Sequence, residues 1–467
     1  MFQEAPQRPA RYRKFERETP GWFRDAKLGI FVHWGPYSVP AWAEPSGTSG
    51  TIDPDRFFTH NPYAEWYYNT IRIAGSPAAE HHRVAYGDTP YDSFLDQWTA
   101  RDFDAADLME LVAATGAGYL VPTTKHHDGV TLWDAPGTGG RNTVHRGPHR
   151  DLVDELSVAA RAVGVRFGVY YSGGFDWHAG GTPPIVDVQS FGVRPVDRAY
   201  ADYAHDHVAD LIARYRPDVL WGDIEWPDAG KTEGPKSLVS LFESFYAANP
   251  DGVVNDRWGE THWDFRTSEY QHGGAVEGSE MWENTRGIGY SFGYNRLDDE
   301  STSLSGPEAI RHFVDVVSRG GNLLLNIGLT AEGTVPDLQR RTLAELAEWN
   351  SANGSSVFGS TPVAAELAKP GETPWVRWTR TGDRLHAFIW TTESAPALTV
   401  DAARVDPESA RFADGTRASA RITGEGVAVG MPAGGASVPV RVTFDLRSAT
   451  AVALGEVVTA QRRYLGS

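Results

Sequence analysis

A chain of 467 residues is long for one ordinary domain, and 41% hydrophobic with 22% charged residues is a folded, core-forming composition, not a disordered one. The 61 acidic against 43 basic residues leave a net charge of −18, a surface that repels nucleic acid and anionic membranes but not a neutral substrate such as a sugar. With no cysteine, disulfides, thiolate metal sites and cysteine nucleophiles are excluded. The first residues carry no apolar signal core, and no run of about 18 apolar residues occurs, so a cytoplasmic protein without a transmembrane helix is expected. The 16 tryptophans stand out, because an indole offers a flat apolar face and one N–H donor, which suits a pyranose ring.

In chain order, residues 1–19 read as a charged, proline-containing arm. Residues 27–35 read as a buried strand ending in His33-Trp34-Gly35. Residues 36–101 read as a long irregular segment, and segments of that length in compact domains usually carry function. Helix-then-strand units follow: a helix over 105–114 and a strand over 118–125, a helix over 151–163 and a strand over 165–171. Next come a helix over 198–215 with a strand from Val219, a helix over 237–248 with a strand over 253–255, and a helix over 307–319 with a strand over 322–327. Such alternation predicts a parallel sheet, and its repetition over roughly 350 residues favours an irregular (β/α)-barrel. No glycine-rich phosphate loop follows the first strand, which argues against the open dinucleotide-binding sheet. A last helix is expected over 338–349, with a cap and linker over 351–356. Beyond it, short alternating segments at 375–380, 384–391, 397–400, 421–429, 438–444 and 449–454 predict a small antiparallel β-sandwich. The predicted division is a catalytic domain over 1–355 and a sandwich over 356–467, the latter expected to support rather than react.

The polar residues gather where strands end: His33, then His126-His127-Asp128, then Tyr170-Tyr171, then Asp223. In a parallel barrel those ends form the active face. A retaining glycosidase needs two carboxylates about 5–5.5 Å apart. Asp223, closing the strand from Val219 through Trp221, is the expected nucleophile. Glu269, in the segment from Trp263 to Tyr270, is the expected acid/base, with Asp264 and Glu225 as rivals. The histidines also permit a zinc hydrolase built from His33, Asp128 and the His-His pair, although adjacent strand residues point to opposite faces and no HExxH occurs. A non-catalytic carbohydrate-binding barrel is the other alternative.

Seven motifs in order resemble the α-L-fucosidases of glycoside hydrolase family 29: residues 22–35, Glu65-Trp66-Tyr67, residues 125–129, residues 170–174, Asn255-Asp256-Arg257-Trp258, residues 285–295 and residues 320–328. The resemblance implies a retaining exo-hydrolase of terminal α-L-fucose acting on fucosylated glycans or glycosides, with no cofactor and no metal. It implies Asp223 as nucleophile and Glu269 as acid/base. His33, Glu65, Trp66, His126 and His127 fall on sugar-binding positions, Tyr170 beside the nucleophile with Tyr171 as the alternative residue facing the sugar, Arg257 beside the acid/base, and Trp221 and Phe292 at the wall for the sugar methyl. Gly222 is a departure, since some relatives carry Asn there. A homo-oligomer is compatible with the resemblance.

Overall fold

The computed structural model describes residues 8–48, 50–179, 181–270, 280–424, 426–432 and 437–447. Packing divides the chain into two compact units, Met1–Leu304 with Asn322–Ala344, and Ser305–Gly321 with Glu345–Ser467.

The first unit is built on eight strands, β1 (Leu28–His33), β2 (Tyr119–Lys125), β3 (Arg166–Ser172), β4 (Val219–Asp223), β5 (Val253–Val254), β6 (Arg266–Glu269), β7 (Trp282–Gly287) and β8 (Asn322–Gly328). Their order is β5-β4-β3-β2-β1-β8-β7-β6, every ladder parallel, with β8 beside β1. Among the described residues β5 and β6 do not pair, so the barrel is irregular. The period of two along each strand explains both its core and its site. Val219 and Trp221 belong to the buried interior cluster, and Asp223 is the next residue on that face. Phe31 and His33 stand in the same relation on β1. So do Phe265 and Glu269, separated by Thr267, on and just before β6.

The helices follow the sequence reading closely, because their caps are local. Asp104, Asp151, Asp197 and Ser237 each accept a backbone N–H at a helix start. The segment 36–101 departs from the irregular reading. It contains short helices at Ala64–Trp66, Tyr67–Thr70, Pro77–Tyr86 and Asp92–Gln97. Pro77 at the first turn after a Ser76 cap is a start signal that its tyrosines and glycines obscured. The last helix also overruns its expected end, continuing over Asp337–Asn353 before a 3-10 turn at Gly354–Ser356.

In the second unit, strands Gly371–Glu372, Trp375–Thr381, Arg384–Trp390, Val440–Leu446 and Val405–Phe412 form one antiparallel sheet, joined by Thr361–Pro362. Ala397–Thr399, Gly426–Val429 and Ala420–Thr423 form another. The two share one apolar core that includes Trp378, Leu385, Val427 and Phe444. The expected strand over 421–429 is two strands folded on each other, and Val405–Phe412, masked in sequence by Pro407, is an additional one. The strand expected over 449–454 lies outside the described residues. Helix Gly306–Ser318, read from sequence as one of the barrel repeats, packs in this unit. Asp315 accepts from Arg377, and the Arg311 guanidinium lies 4.9 Å from the Trp390 ring centroid.

Candidate active site

Asp223, Glu269 and the nine residues that the family resemblance assigns to sugar binding all line one cavity of about 220 Å³ at the C-terminal ends of the strands, whereas Asp128, Tyr171, Glu225 and Asp264 do not. Asp223 and Glu269 are joined by one guanidinium. Arg257, in the loop after β5, donates from Nη1 to Asp223 Oδ1 at 3.1 Å and from Nη2 to Glu269 Oε2 at 3.2 Å. Its Nε donates to Thr267 Oγ1 at 3.1 Å, and its carbon sits 4.8 Å from the Trp221 ring centroid. A planar fork fixed on three sides holds two carboxylates in a set relation. Tyr170 donates to Asp223 Oδ2 at 2.8 Å, and His127 Nε2 lies 3.9 Å from the same oxygen. Burial pushes the Asp223 carboxyl up, but the Arg257 guanidinium and the Tyr170 hydroxyl outweigh it and hold the group below the usual carboxylate range. Asp223 is therefore ionised at neutral pH, as a nucleophile must be.

The backbone immediately after Asp223 is bent by its neighbours. Ile224 and Glu225 have φ of 55° and 69°, a region that β-branched residues avoid. Gly173 and Gly174 donate N–H to the Asp223 carbonyl at 3.1 and 3.3 Å. A Cβ on Gly174 would lie 1.7 Å from the Ile224 carbonyl oxygen, so the glycine pair after Tyr170-Tyr171-Ser172 is what lets the two loops meet. Gly222 is explained likewise. A Cβ there would lie 2.4 Å from the Trp258 ring, and the Gly222 N–H and C=O are both paired with the Asn255 side chain.

The imidazoles are neutral and their tautomers follow from the network. Asn326 donates through Nδ2 to the Phe292 carbonyl, so its Oδ1 faces His33 Nδ1 at 2.6 Å and must accept from it. His33 Nε2 is left as an acceptor. Ser172 donates to the Phe175 carbonyl, so its oxygen accepts from His127 Nδ1 at 2.7 Å, leaving His127 Nε2 as an acceptor too. Burial holds His33 down at about 3 and His127 at about 4, and His126 well below its usual value. His126 stacks on the Tyr170 ring at 5.6 Å, with its Nδ1 buried and unpartnered. Both His126 and His127 face the cavity, with ring centroids 4.0 Å apart, against the alternation expected on a strand. They lie just beyond Lys125, where β2 ends and the pleat no longer applies.

Asp128, part of the zinc alternative, does not line the cavity; it accepts from Tyr91 at 2.8 Å and from the Val130 N–H. Among the described residues no three His, Asp or Glu side chains are grouped to hold a metal ion. Glu225 is bound to Arg194 and Lys231, both at 2.8 Å. Asp264 accepts from Arg17 and Tyr246 and does not line the cavity. Tyr171 points away from the cavity, to His207.

Glu65 and Trp66 come from the short Ala64–Trp66 turn. Glu65 Oε2 accepts from the Gly293 N–H at 2.7 Å and from Ser291 at 3.1 Å, and burial, against these donors, pushes its carboxyl up to about 7. Phe31, Trp221 and Phe292 make an apolar wall, with the Phe31 ring 5.1 Å from Trp221 and 6.5 Å from Phe292. Sequence reasoning missed three contributors. Tyr63 donates to Glu269 Oε1 at 3.0 Å, from a loop with no local signal. Phe31 could have been found by counting two back from His33. Glu283, fully buried under the site, accepts the Trp221 indole N–H at 2.9 Å and the Tyr119 hydroxyl. It lies on β7, a polar-looking strand that the sequence reading passed over.

Two carboxylates bridged by arginine, neutral imidazole acceptors and an apolar wall, at the carboxyl ends of a parallel barrel, define a glycoside-cleaving hydrolase. The sequence model of the alpha-L-fucosidase family matches residues 2–355. The chain belongs to that family, and its activity is the release of α-L-fucose from fucosylated substrates. It is 30% identical over 389 residues to the alpha-L-fucosidase of Dictyostelium discoideum, covering 80% of this chain and 78% of the relative. To the tissue alpha-L-fucosidase of Homo sapiens it is 32% identical over 383 residues, 80% of this chain and 76% of the other. The crystal structure of Thermotoga maritima alpha-fucosidase in complex with fucose superposes with a TM-score of 0.81 at 40% identity, covering 91% of this chain and 97% of that one.

Proposed function

We propose that the chain is a retaining exo-α-L-fucosidase in which Asp223 attacks C1 of a terminal fucose while Glu269 protonates the leaving oxygen. Glu269 then removes a proton from the water that hydrolyses the fucosyl-Asp223 ester. The observation that carries this reading is the Arg257 bridge. It keeps Asp223 ionised and sets a second carboxylate, from β6, beside it. The cavity of about 220 Å³ is smaller than the roughly 300–1,000 Å³ of drug-sized sites and suits one sugar ring, which supports attack on terminal residues. His33 and His127 Nε2 accept from ring hydroxyls, with Glu65, Trp66 and His126 completing the polar side. Trp221, Phe31 and Phe292 meet C6, where fucose carries a methyl instead of a hydroxyl.

Replacing Asp223 by Gly tests the nucleophile. Turnover of an aryl α-L-fucoside should fall to near background; undiminished turnover would remove Asp223 from the mechanism. The Glu269→Ala variant should recover activity with azide, which takes the place of the base-activated water. Near-normal rates without azide would assign the acid/base elsewhere.

A further inference from the structure

The C-terminal unit carries a polar cavity of about 660 Å³ on its larger sheet, which fucose release does not use. Its lining includes Arg384, Arg411, Arg417 and Arg441, unusual company in a chain of net charge −18. Arg441, on strand Val440–Leu446, is only 9% exposed. Its Nη1 reaches the Ser356 hydroxyl and its Nη2 the Ala413 carbonyl at 3.1 Å, while Nε is buried without a partner. Both partners are neutral, and among the described residues it has no ion pair. A buried guanidinium is ordinarily matched by an anion, because desolvating an unpaired charge is costly. Burial and nearby Arg384 hold its affinity for the proton below normal, which is the signature of a cation lacking a counter-charge.

Arg411 and Arg417 repeat the imbalance. They stand directly opposite each other across an antiparallel bridge, where like charges repel. Among the described residues Arg411 donates only to the Glu408 and Ala410 carbonyls. Three carboxylates, Asp406, Glu408 and Asp445, share the wall with the four arginines, but among the described residues none lies within ion-pair distance of Arg411, Arg417 or Arg441. Asp445 lies 3.9 Å from Arg384, with both of those side chains about two-thirds exposed. His386 is tied to Thr381 and Thr443.

We propose that this cavity binds an oxyanion, a sulfate or carboxylate held by Arg411, Arg417 and Arg441, either as a free ion or as a substituent of a saccharide. Guanidinium groups match such oxygens in bidentate fashion. The full chain should be titrated calorimetrically with sodium sulfate, with a fucose-free sulfated oligosaccharide and with its desulfated counterpart, each against sodium chloride of equal ionic strength. Saturable binding of sulfate or of the sulfated sugar, and none of the desulfated sugar, is expected. Equal affinity for both would identify the free ion, and tenfold tighter binding of the sulfated sugar would identify the saccharide-borne group. The Arg411→Gln/Arg417→Gln double variant changes exposed side chains only, so it should fold. It should bind about tenfold more weakly or worse, with hydrolysis of an aryl fucoside unchanged. Binding no stronger than with chloride, binding of the desulfated sugar as tight as of the sulfated one, or unaltered binding by the double variant would overturn the proposal.

Discussion

Replacing Arg257 by Gln should uncouple the two carboxylates. The guanidinium supplies one hydrogen bond to each acid, and after burial its charge is the largest influence on the Asp223 carboxyl. Asp223 keeps only 11% side-chain exposure, so without Arg257 desolvation dominates and its proton affinity rises. Breaking a buried pair costs about 3–5 kcal/mol, and the lower end applies because Arg257 and Glu269 keep 24% and 28% side-chain exposure. A loss of about 3 kcal/mol of transition-state stabilisation is roughly a hundredfold in kcat/KM. The sign of the pH effect is also fixed: a nucleophile that protonates more readily loses activity at higher pH, so the acid limb of the profile moves upward. Hydrolysis of an aryl α-L-fucoside across pH 3–9 reads both quantities. An acid limb in its original place, with kcat/KM within about threefold of the parent, would refute the reasoning.

Three further outcomes are expected. Phe292→Ala should reduce the preference for an α-L-fucoside over the corresponding α-L-galactoside by about tenfold or more, read as the ratio of kcat/KM values, since one methyl against an apolar wall is worth that much. Gly222→Ala should lower the melting temperature, because its Cβ would meet the buried Trp258 ring at 2.4 Å and overpacking costs about 1–3 kcal/mol; an unchanged temperature would mean that the ring moves freely. Burial pushes Glu283 up to about 7, so its contribution to stability is complete below its unfolded value of about 4.3 and is lost as pH rises through 7. Glu283→Gln should therefore compare more favourably with the parent at pH 8 than at pH 5 in thermal unfolding, and the reverse order would contradict the assignment.

The strand-ending residues His33, Asp223 and Glu269 were legible in the sequence because a period of two carries an apolar interior face straight into a polar tip, whereas the choice between Tyr170 and Tyr171 was settled only by their partners, Asp223 and His207. The helix starts were legible because a capping side chain and its N–H donors are three residues apart at most. Strand β7 was not. Trp282-Glu283-Asn284-Thr285-Arg286-Gly287 looks like a surface segment, and Glu283 becomes tolerable inside the barrel only with Tyr119 and Trp221 donating to it. Helix Gly306–Ser318 has the local pattern of a barrel helix, yet its partners, Arg377 and Trp390, lie in a later sheet.

The sequence by itself determined most of the side chains that the barrel presents at its active face, through the alternation that presents them. Tertiary structure alone decided how they are coupled: Tyr63 reaching Glu269 across 206 positions, Arg257 spanning both carboxylates, and the His126-His127 pair turned to one side. Periodicity and capping act over a few residues and are written locally. Hydrogen bonds between remote loops depend on the closure of the whole sheet, and no short stretch of chain encodes that.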